Sequence, residues 1–133
     1  MEKVFCSQSP AETEDIAKQL SRELFGLIAL RGNMGAGKTA FARGFVMGRY
    51  PSVRASSPTY TVMNAYADDL YHLDLYRLES ADDFESIGFY DIPINATVLC
   101  EWPENVPDDV KPSAIVIIES SDEENKRIIK VVQ

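Results

Sequence analysis

Hydrophobic residues near the start of the chain follow the period of a helix. In SPAETEDIAKQLSREL the apolar residues lie four positions apart, which places them on one helical face. Ser9 suits the N-cap, Pro10 suits the first helical position, and Glu12 completes the spacing of a capping box. Gly26 follows the last apolar position. These residues predict a helix that starts after Ser9 and stops before Gly26.

Short apolar runs predict strands on either side of this helix. Residues 4–6 are a short strand candidate, and LIALRG (27–32) is a candidate for a buried strand. A second helix is predicted from Lys38 to about Tyr50, because Pro51 cannot continue it. The first part of the chain therefore alternates strand and helix.

The middle of the chain predicts a hairpin. The segment LYHLDLYRL (70–78) alternates, with Tyr71, Leu73 and Leu75 on one face and His72, Asp74 and Tyr76 on the other. Before it, ASSPTYTVMNAY predicts a loop that becomes a strand, because the residue before Pro58 is biased toward extended backbone. The acidic pair at 68–69 would form the turn between the two strands. A short helix is predicted over residues 80–88.

The last third of the chain predicts three further strands. ATVLCEW (96–102) contains an apolar strand that ends in Glu101, and AIVIIES and RIIKVVQ form a terminal hairpin around SDEENK. No linker, repeat or low-complexity tract divides the chain. We therefore expect a single α/β domain over residues 1–133, with a mixed parallel and antiparallel sheet flanked by helices.

Composition narrows the possible functions. The 133 residues carry a net charge of -8, and the 13 Lys and Arg are scattered, so the chain is not expected to bind nucleic acid unaided. No apolar run approaches the ~20 residues of a membrane span, and the first residues lack the pattern of a signal peptide. We expect a soluble cytoplasmic protein in which Cys6 and Cys100 are reduced and mostly buried.

Glycines and a lysine follow the predicted buried strand directly. GNMGAGKT, from Gly32 to Thr39, fits the pattern G-x-x-x-x-G-K-[ST] in full. Glycine lets backbone N–H groups approach phosphate oxygens, and the next helix adds the positive end of its dipole. Lys38 would bridge the β- and γ-phosphates, and the Thr39 hydroxyl would ligate Mg²⁺. This stretch predicts nucleotide binding.

Two carboxylates are candidates for the rest of a hydrolytic site. Glu101 ends an apolar strand, where a metal-holding acid would lie at the carboxyl edge of the sheet. The residues alone leave open whether Asp74 serves such a site or pairs with Arg77 or His72. His72, the only histidine, is more typical of a hydrogen-bonded structural residue than of a catalyst. The stretch around Thr59 is either a switch loop or a hydroxyl-rich turn.

Five segments together resemble the TsaE (YjeE) family: GNMGAGKTAFARGF, SSPTYTVMNAY, LYHLDLYRL, SIG and CEWPENVP. That family is the small P-loop ATPase of bacterial tRNA threonylcarbamoyladenosine synthesis. The resemblance extends from about residue 9 to 110 and weakens in the last two strands. It implies ATP or ADP and Mg²⁺ as ligands, TsaB and TsaD as partners, and contact with tRNA only through their complex. The transfer to adenosine 37 of ANN-decoding tRNAs would be carried out by TsaD.

The resemblance also implies which residues bind the nucleotide. The phosphates would be bound by residues of the glycine-rich loop and the helix start: Asn33, Met34, Gly35, Ala36, Gly37, Lys38, Thr39 and Ala40. Pro10, within segment 9–13, and Arg127, next to Lys126, match family regions near the adenine. Asn33 and Ala40 depart from the family pattern, which has Asp and a second Thr or Ser there. Neither departure removes a contact that the mechanism needs.

Catalytic roles follow from the same resemblance. Lys38, Asp74 and Glu101 would be the catalytic residues, with Asp74 near the metal or the attacking water. Thr39 and Glu101 would hold Mg²⁺. Thr59 would belong to the switch loop.

Three other functions use a loop of this kind. A GTPase is disfavoured because D-x-x-G is absent and the pair Asn125-Lys126 is not followed by a base-reading Asp. A small-molecule kinase would need more chain for a lid and an acceptor pocket. The remaining alternative is a nucleotide-gated interaction module with negligible hydrolysis of its own. Candidates for an arginine finger are Arg43, Arg54, Arg77 and a residue of a partner.

Overall fold

A computed structural model describes residues 2–33, 35–52, 63–74, 91–101 and 111–133. Within this part of the chain, seven strands form one sheet and two helices accompany it. The elements are β1 (Glu2–Ser7), α1 (Pro10–Leu20), β2 (Leu27–Arg31), α2 (Lys38–Arg49), β3 (Met63–Ala67), β4 (Leu70–Asp74), β5 (Thr97–Glu101), β6 (Ala114–Ser120) and β7 (Arg127–Val132). The predicted α/β class is confirmed. The helix predicted over residues 80–88 lies outside the described residues.

The sheet is mixed, as the sequence predicted. Its strand order is β1-β7-β6-β2-β5-β4-β3. The four strands β6, β2, β5 and β4 are parallel, whereas β7 pairs antiparallel with β1 and β6, and β3 pairs antiparallel with β4. The carboxyl ends of the four parallel strands therefore share one edge of the sheet. Ligands of open α/β sheets bind at this edge.

Helix α1 begins with the predicted cap. The Ser9 hydroxyl accepts a hydrogen bond from the Glu12 N–H at 3.1 Å. The Glu12 carboxylate reaches back to the N–H of Gln8 at 2.6 Å, one residue before the cap. The helix ends earlier than expected, at Leu20, because the chain turns through residues 21–23 before Gly26 takes a φ of +82°.

The two helices pack against each other through glycines. A Cβ at Gly44 would lie 2.3 Å from the carbonyl oxygen of Glu14, and one at Gly48 would lie 2.2 Å from the Ser21 hydroxyl. The backbone of α2 therefore touches α1 directly at Gly44. Phe41 lies on the same helix and is buried in the core that the helices share with the sheet.

The predicted hairpin is present, with Asp68 and Asp69 in the turn between β3 and β4. The expectation of a polar face on β4 is wrong at His72, which is as buried as its neighbour Leu73. Cys100 is buried, as expected, whereas Cys6 is exposed on the edge strand β1. Neither described helix is long and apolar enough to cross a membrane.

Candidate nucleotide-binding site

The loop between β2 and α2 depends on glycine for its shape. Gly35 and Gly37 have φ values of +82° and +111°, which side chains with a Cβ rarely adopt. Between them, the Ala36 N–H donates to the Asn33 carbonyl at 2.9 Å and closes a turn. A Cβ at Gly32 would lie 2.7 Å from a carbonyl oxygen of β6. The motif therefore forms a compact backbone loop against the carboxyl edge of the sheet.

Helix α2 starts at this loop without a side-chain cap. Gly37 occupies the cap position and offers no side-chain acceptor, and the first turn of α2 contains no acidic residue. The first N–H groups of a helix lack partners within the helix and carry a partial positive charge. Lys38 and Thr39 are the first two residues of the helix, and Thr39 is exposed. Loop and helix start together suit a phosphate group.

Lys38 and Glu101 come together, although 63 positions separate them in the numbering. The Lys38 Nζ lies 4.0 Å from the Glu101 Oε1, and only 11% of each side chain is exposed. Parallel pairing explains the approach, because Glu101 is aligned with Leu30 at the end of β2. Two of the predicted catalytic residues are therefore neighbours at the predicted edge.

His72 lies on the other side of the same carboxylate. Its Nε2 is 3.7 Å from the Glu101 Oε2, which exceeds hydrogen-bond distance. Within the described residues, neither ring nitrogen of His72 has a hydrogen-bond partner. Burial lowers the pKa of His72 to about 4, so the ring is neutral near pH 7. The sequence predicted a hydrogen-bonded structural histidine and missed its position beside Glu101.

The remaining predicted residues are placed to different extents. Asp74 is paired in register with Glu101 on the adjacent strand, so its backbone lies at the same edge. Met34 and Thr59 lie outside the described residues. No group of three His, Cys, Asp or Glu side chains suited to a metal was found in the described part of the chain. The assignment of Mg²⁺ to Thr39 and Glu101 stays a prediction.

A pocket lies beside the glycine-rich loop. It has a volume of about 110 Å³ and is lined by the start of α1, the loop, the start of α2 and the β6–β7 turn: Pro10, Thr13, Gly35, Gly37, Ala40, Asn125 and Arg127. The structure thus brings Pro10 and Arg127 together, whereas their contact with adenine stays a prediction. Asn125 was not predicted for the pocket. Its φ of +66° is a conformation that asparagine tolerates in turns. The signal available in the sequence was an asparagine in the predicted turn SDEENK.

One candidate arginine finger already has a partner. The Arg43 Nη1 lies 3.2 Å from the Glu14 Oε1, on the exposed side of the helix pair. Arg54 and Arg77 lie outside the described residues.

Known proteins are similar to this chain in both sequence and fold. Residues 7–129 match the family model described as "Threonylcarbamoyl adenosine biosynthesis protein TsaE". The chain belongs to the TsaE family. The match extends beyond residue 110 into β7, so it includes strands in which the motifs alone indicated only a weak resemblance.

Individual TsaE relatives cover most of the chain. Each is described as "tRNA threonylcarbamoyladenosine biosynthesis protein TsaE". The one from Aquifex aeolicus is 33% identical over an alignment of 132 positions that covers 93% of this chain and 91% of the relative. The one from Rickettsia conorii is 31% identical, covering 93% and 74% of the two chains. The crystal structure of YdiB from Bacillus subtilis superimposes with a TM-score of 0.71 at 26% identity, over 98% of this chain and 84% of that one.

Proposed function

We propose that this TsaE-family chain is a Mg²⁺-dependent ATPase that supports threonylcarbamoylation of adenosine 37 in ANN-decoding tRNAs. It acts together with TsaB and TsaD homologues and is not itself the transferase. The names of its relatives support the pathway. One observation supports nucleotide binding most directly: the Lys38 Nζ at the start of α2 lies 4.0 Å from the Glu101 Oε1 at the end of β5.

The phosphates of ATP or ADP would be bound by backbone N–H groups of the loop and of the start of α2. Lys38 would then contact the β- and γ-phosphates, which requires that its ammonium group leave Glu101. Because Glu101 ends a central strand and is largely buried, its carboxylate is held near the loop by the sheet itself. The same position suits a ligand of Mg²⁺.

Mg²⁺ would be held by the Thr39 hydroxyl and Glu101, and would neutralise charge on the phosphate oxygens. Asp74 ends the strand next to Glu101, which suits an acid that orients water. His72 would contribute indirectly, as an uncharged ring beside the Glu101 carboxylate. A neutral ring leaves the negative charge of the carboxylate available to a cation.

The charge of the chain bears on its partners. With a net charge of -8, the chain alone can release few counterions from RNA, so a partner would supply the tRNA surface. Work on tRNA would place the protein in the cytoplasm. Arg43 forms only an exposed ion pair with Glu14, worth under about 1 kcal/mol, so binding of a partner could redirect this candidate finger toward the phosphates.

The test is single-turnover ATP hydrolysis and nucleotide binding by Lys38→Ala, with and without TsaB and TsaD. Loss of hydrolysis and much weaker binding are expected, because the fixed positive charge at the β- and γ-phosphates is removed. Lys111→Ala is the matched control, since Lys111 is an exposed lysine shortly before β6. Hydrolysis near the wild-type rate by Lys38→Ala with its partners would contradict the assignment.

The same assay separates the alternative function. A nucleotide-gated interaction module would keep bound ATP intact with partners present, while ATP and ADP would still differ in how strongly they promote complex formation.

A further inference from the structure

Arg127 is the first residue of β7 and lies at the same edge of the sheet as the nucleotide-binding loop. In the sheet it is paired with Ser7 of β1 on one side and Ser120 of β6 on the other. Both pairings place it where β1 and β6 end. An arginine from the last strand thereby reaches a loop that is 91 positions earlier in the chain.

The guanidinium of Arg127 donates to backbone carbonyls of that loop. Its Nε lies 2.9 Å from the Ala36 oxygen, and its Nη2 lies 3.3 Å from the Gly35 oxygen. Its Nη1 donates to the carbonyl of Lys126 at 2.9 Å, which fixes the orientation of the group. All three nitrogens therefore contact backbone oxygens.

These contacts fix the orientation of two peptide groups. A trans peptide is planar, with its N–H and C=O pointing in opposite directions. The Gly35 carbonyl points to Arg127, and the Ala36 N–H of the same peptide donates to Asn33 at 2.9 Å. The Ala36 carbonyl also points to Arg127, so the Gly37 N–H is directed away from the arginine.

We infer that Arg127 is a positioning residue that holds the phosphate-binding loop in shape, rather than a contact to the base. The inference rests on the proposed function in one respect, that this loop binds phosphate. Two glycines with positive φ give the loop many alternative conformations, and fixing one of them before the ligand arrives lowers the entropic cost of binding. The benefit should therefore extend to any ligand that carries the phosphate chain.

A comparison of two ligands tests this inference. The Kd values of ATP and of inorganic tripolyphosphate, each with Mg²⁺, are measured by calorimetry for the wild type, Arg127→Gln and Arg127→Lys. Arg127→Gln should weaken both ligands by the same factor, about tenfold, because the loop loses its charged, forked donor. Arg127→Lys should give Kd values between those of the wild type and Arg127→Gln, since an ammonium group keeps the charge but lacks the planar fork that donates to both carbonyls in fixed directions.

A second measurement needs no ligand. Hydrogen exchange of the Ala36 amide should be faster in Arg127→Gln than in the wild type, because the turn that it closes loses its support. Lys130→Gln is the matched control: it removes the same charge from the same strand, at a residue that pairs with Glu119 at 3.7 Å. It should leave both Kd values and the Ala36 exchange rate unchanged.

The outcomes are distinct. If Arg127→Gln weakens ATP but not tripolyphosphate, Arg127 contacts the nucleoside and the inference is wrong. It is also wrong if the Ala36 exchange rate does not change, because weaker binding of both ligands would then reflect only the lost positive charge. If the wild type binds neither ligand, the proposed function fails, and the exchange rate alone then decides whether Arg127 supports the loop.

Discussion

Replacement of Gly44 by alanine tests how closely α1 and α2 pack. The added Cβ would lie 2.3 Å from the Glu14 oxygen, 2.6 Å from its Cα and 2.8 Å from its carbonyl carbon. All three are backbone atoms, so no side chain can rotate out of the way. Ordinary contact begins near 3.4 Å, and the helices must therefore separate by about 1 Å.

Two opposing effects set the size of the loss. Overpacking a close contact costs ~1–3 kcal/mol, and the upper part of this range applies because both helices must move as units. Alanine in place of glycine favours the helix by about 1 kcal/mol, which offsets part of the cost. The expected loss in the free energy of unfolding is therefore about 2 kcal/mol, or roughly 8 °C in Tm for a chain of this size.

The assay is thermal and urea unfolding, monitored by circular dichroism. Gly48→Ala is the comparison on the same helix: its Cβ would lie 2.2 Å from the Ser21 hydroxyl, which can rotate, and 2.9 Å from the backbone oxygen of Lys18, against 2.3 Å for the nearest backbone atom at Gly44, so its loss should be smaller. The pocket is shared by both helices through Pro10 and Ala40, so Gly44→Ala should also weaken ATP binding. A Gly44→Ala protein as stable as the wild type would refute the close packing.

Three further predictions concern the site. Thr39→Ala and Glu101→Ala should raise the Mg²⁺ concentration needed for hydrolysis more than they weaken metal-free nucleotide binding; unchanged Mg²⁺ titrations would remove both residues from the metal site. The isolated chain should hydrolyse ATP slowly and bind tRNA weakly even at low salt, and titration of TsaB and TsaD should accelerate hydrolysis; fast turnover alone would contradict this. Finally, the free energy of unfolding should fall by up to about 3 kcal/mol as the pH drops from 6.5 toward 4. Over this range His72 takes up a proton in the unfolded state, whereas the buried ring of the folded state stays neutral. His72→Gln should reduce this decline in urea unfolding measured across that range, and an identical pH profile would show that His72 does not cause it.

Local signals were sufficient for much of the fold. Ser9 and Pro10 mark the start of α1, and the interruption at Pro51 marks the end of α2 within a residue or two, because caps and breakers act within one turn of a helix. The glycine-rich loop and Glu101 were also predictable, since a strand end and a helix start fix where such residues lie in a parallel sheet.

The misses depend on contacts between distant segments. The alternation around His72 is typical of a strand with one solvated face, whereas Leu70 on the same face of β4 packs into the core, and elements from elsewhere in the chain bury that face. Cys6 lies on the same face of β1 as Val4, and both are exposed, which the short apolar run does not reveal. The contacts of Arg127 with Gly35 and Ala36 join segments that no local pattern connects.

The placement of β7 has a consequence for synthesis of the protein. In the described sheet, β1 pairs only with β7, so β1 leaves the ribosome before the other six described strands and finds its neighbour only when β7 has emerged. Arg127, which donates to the carbonyls of Gly35 and Ala36, follows these residues by 92 and 91 positions. Contacts of such sequence separation form late in folding. A nascent chain that stops before Arg127 therefore already contains the glycine-rich motif but lacks the contacts that hold its loop.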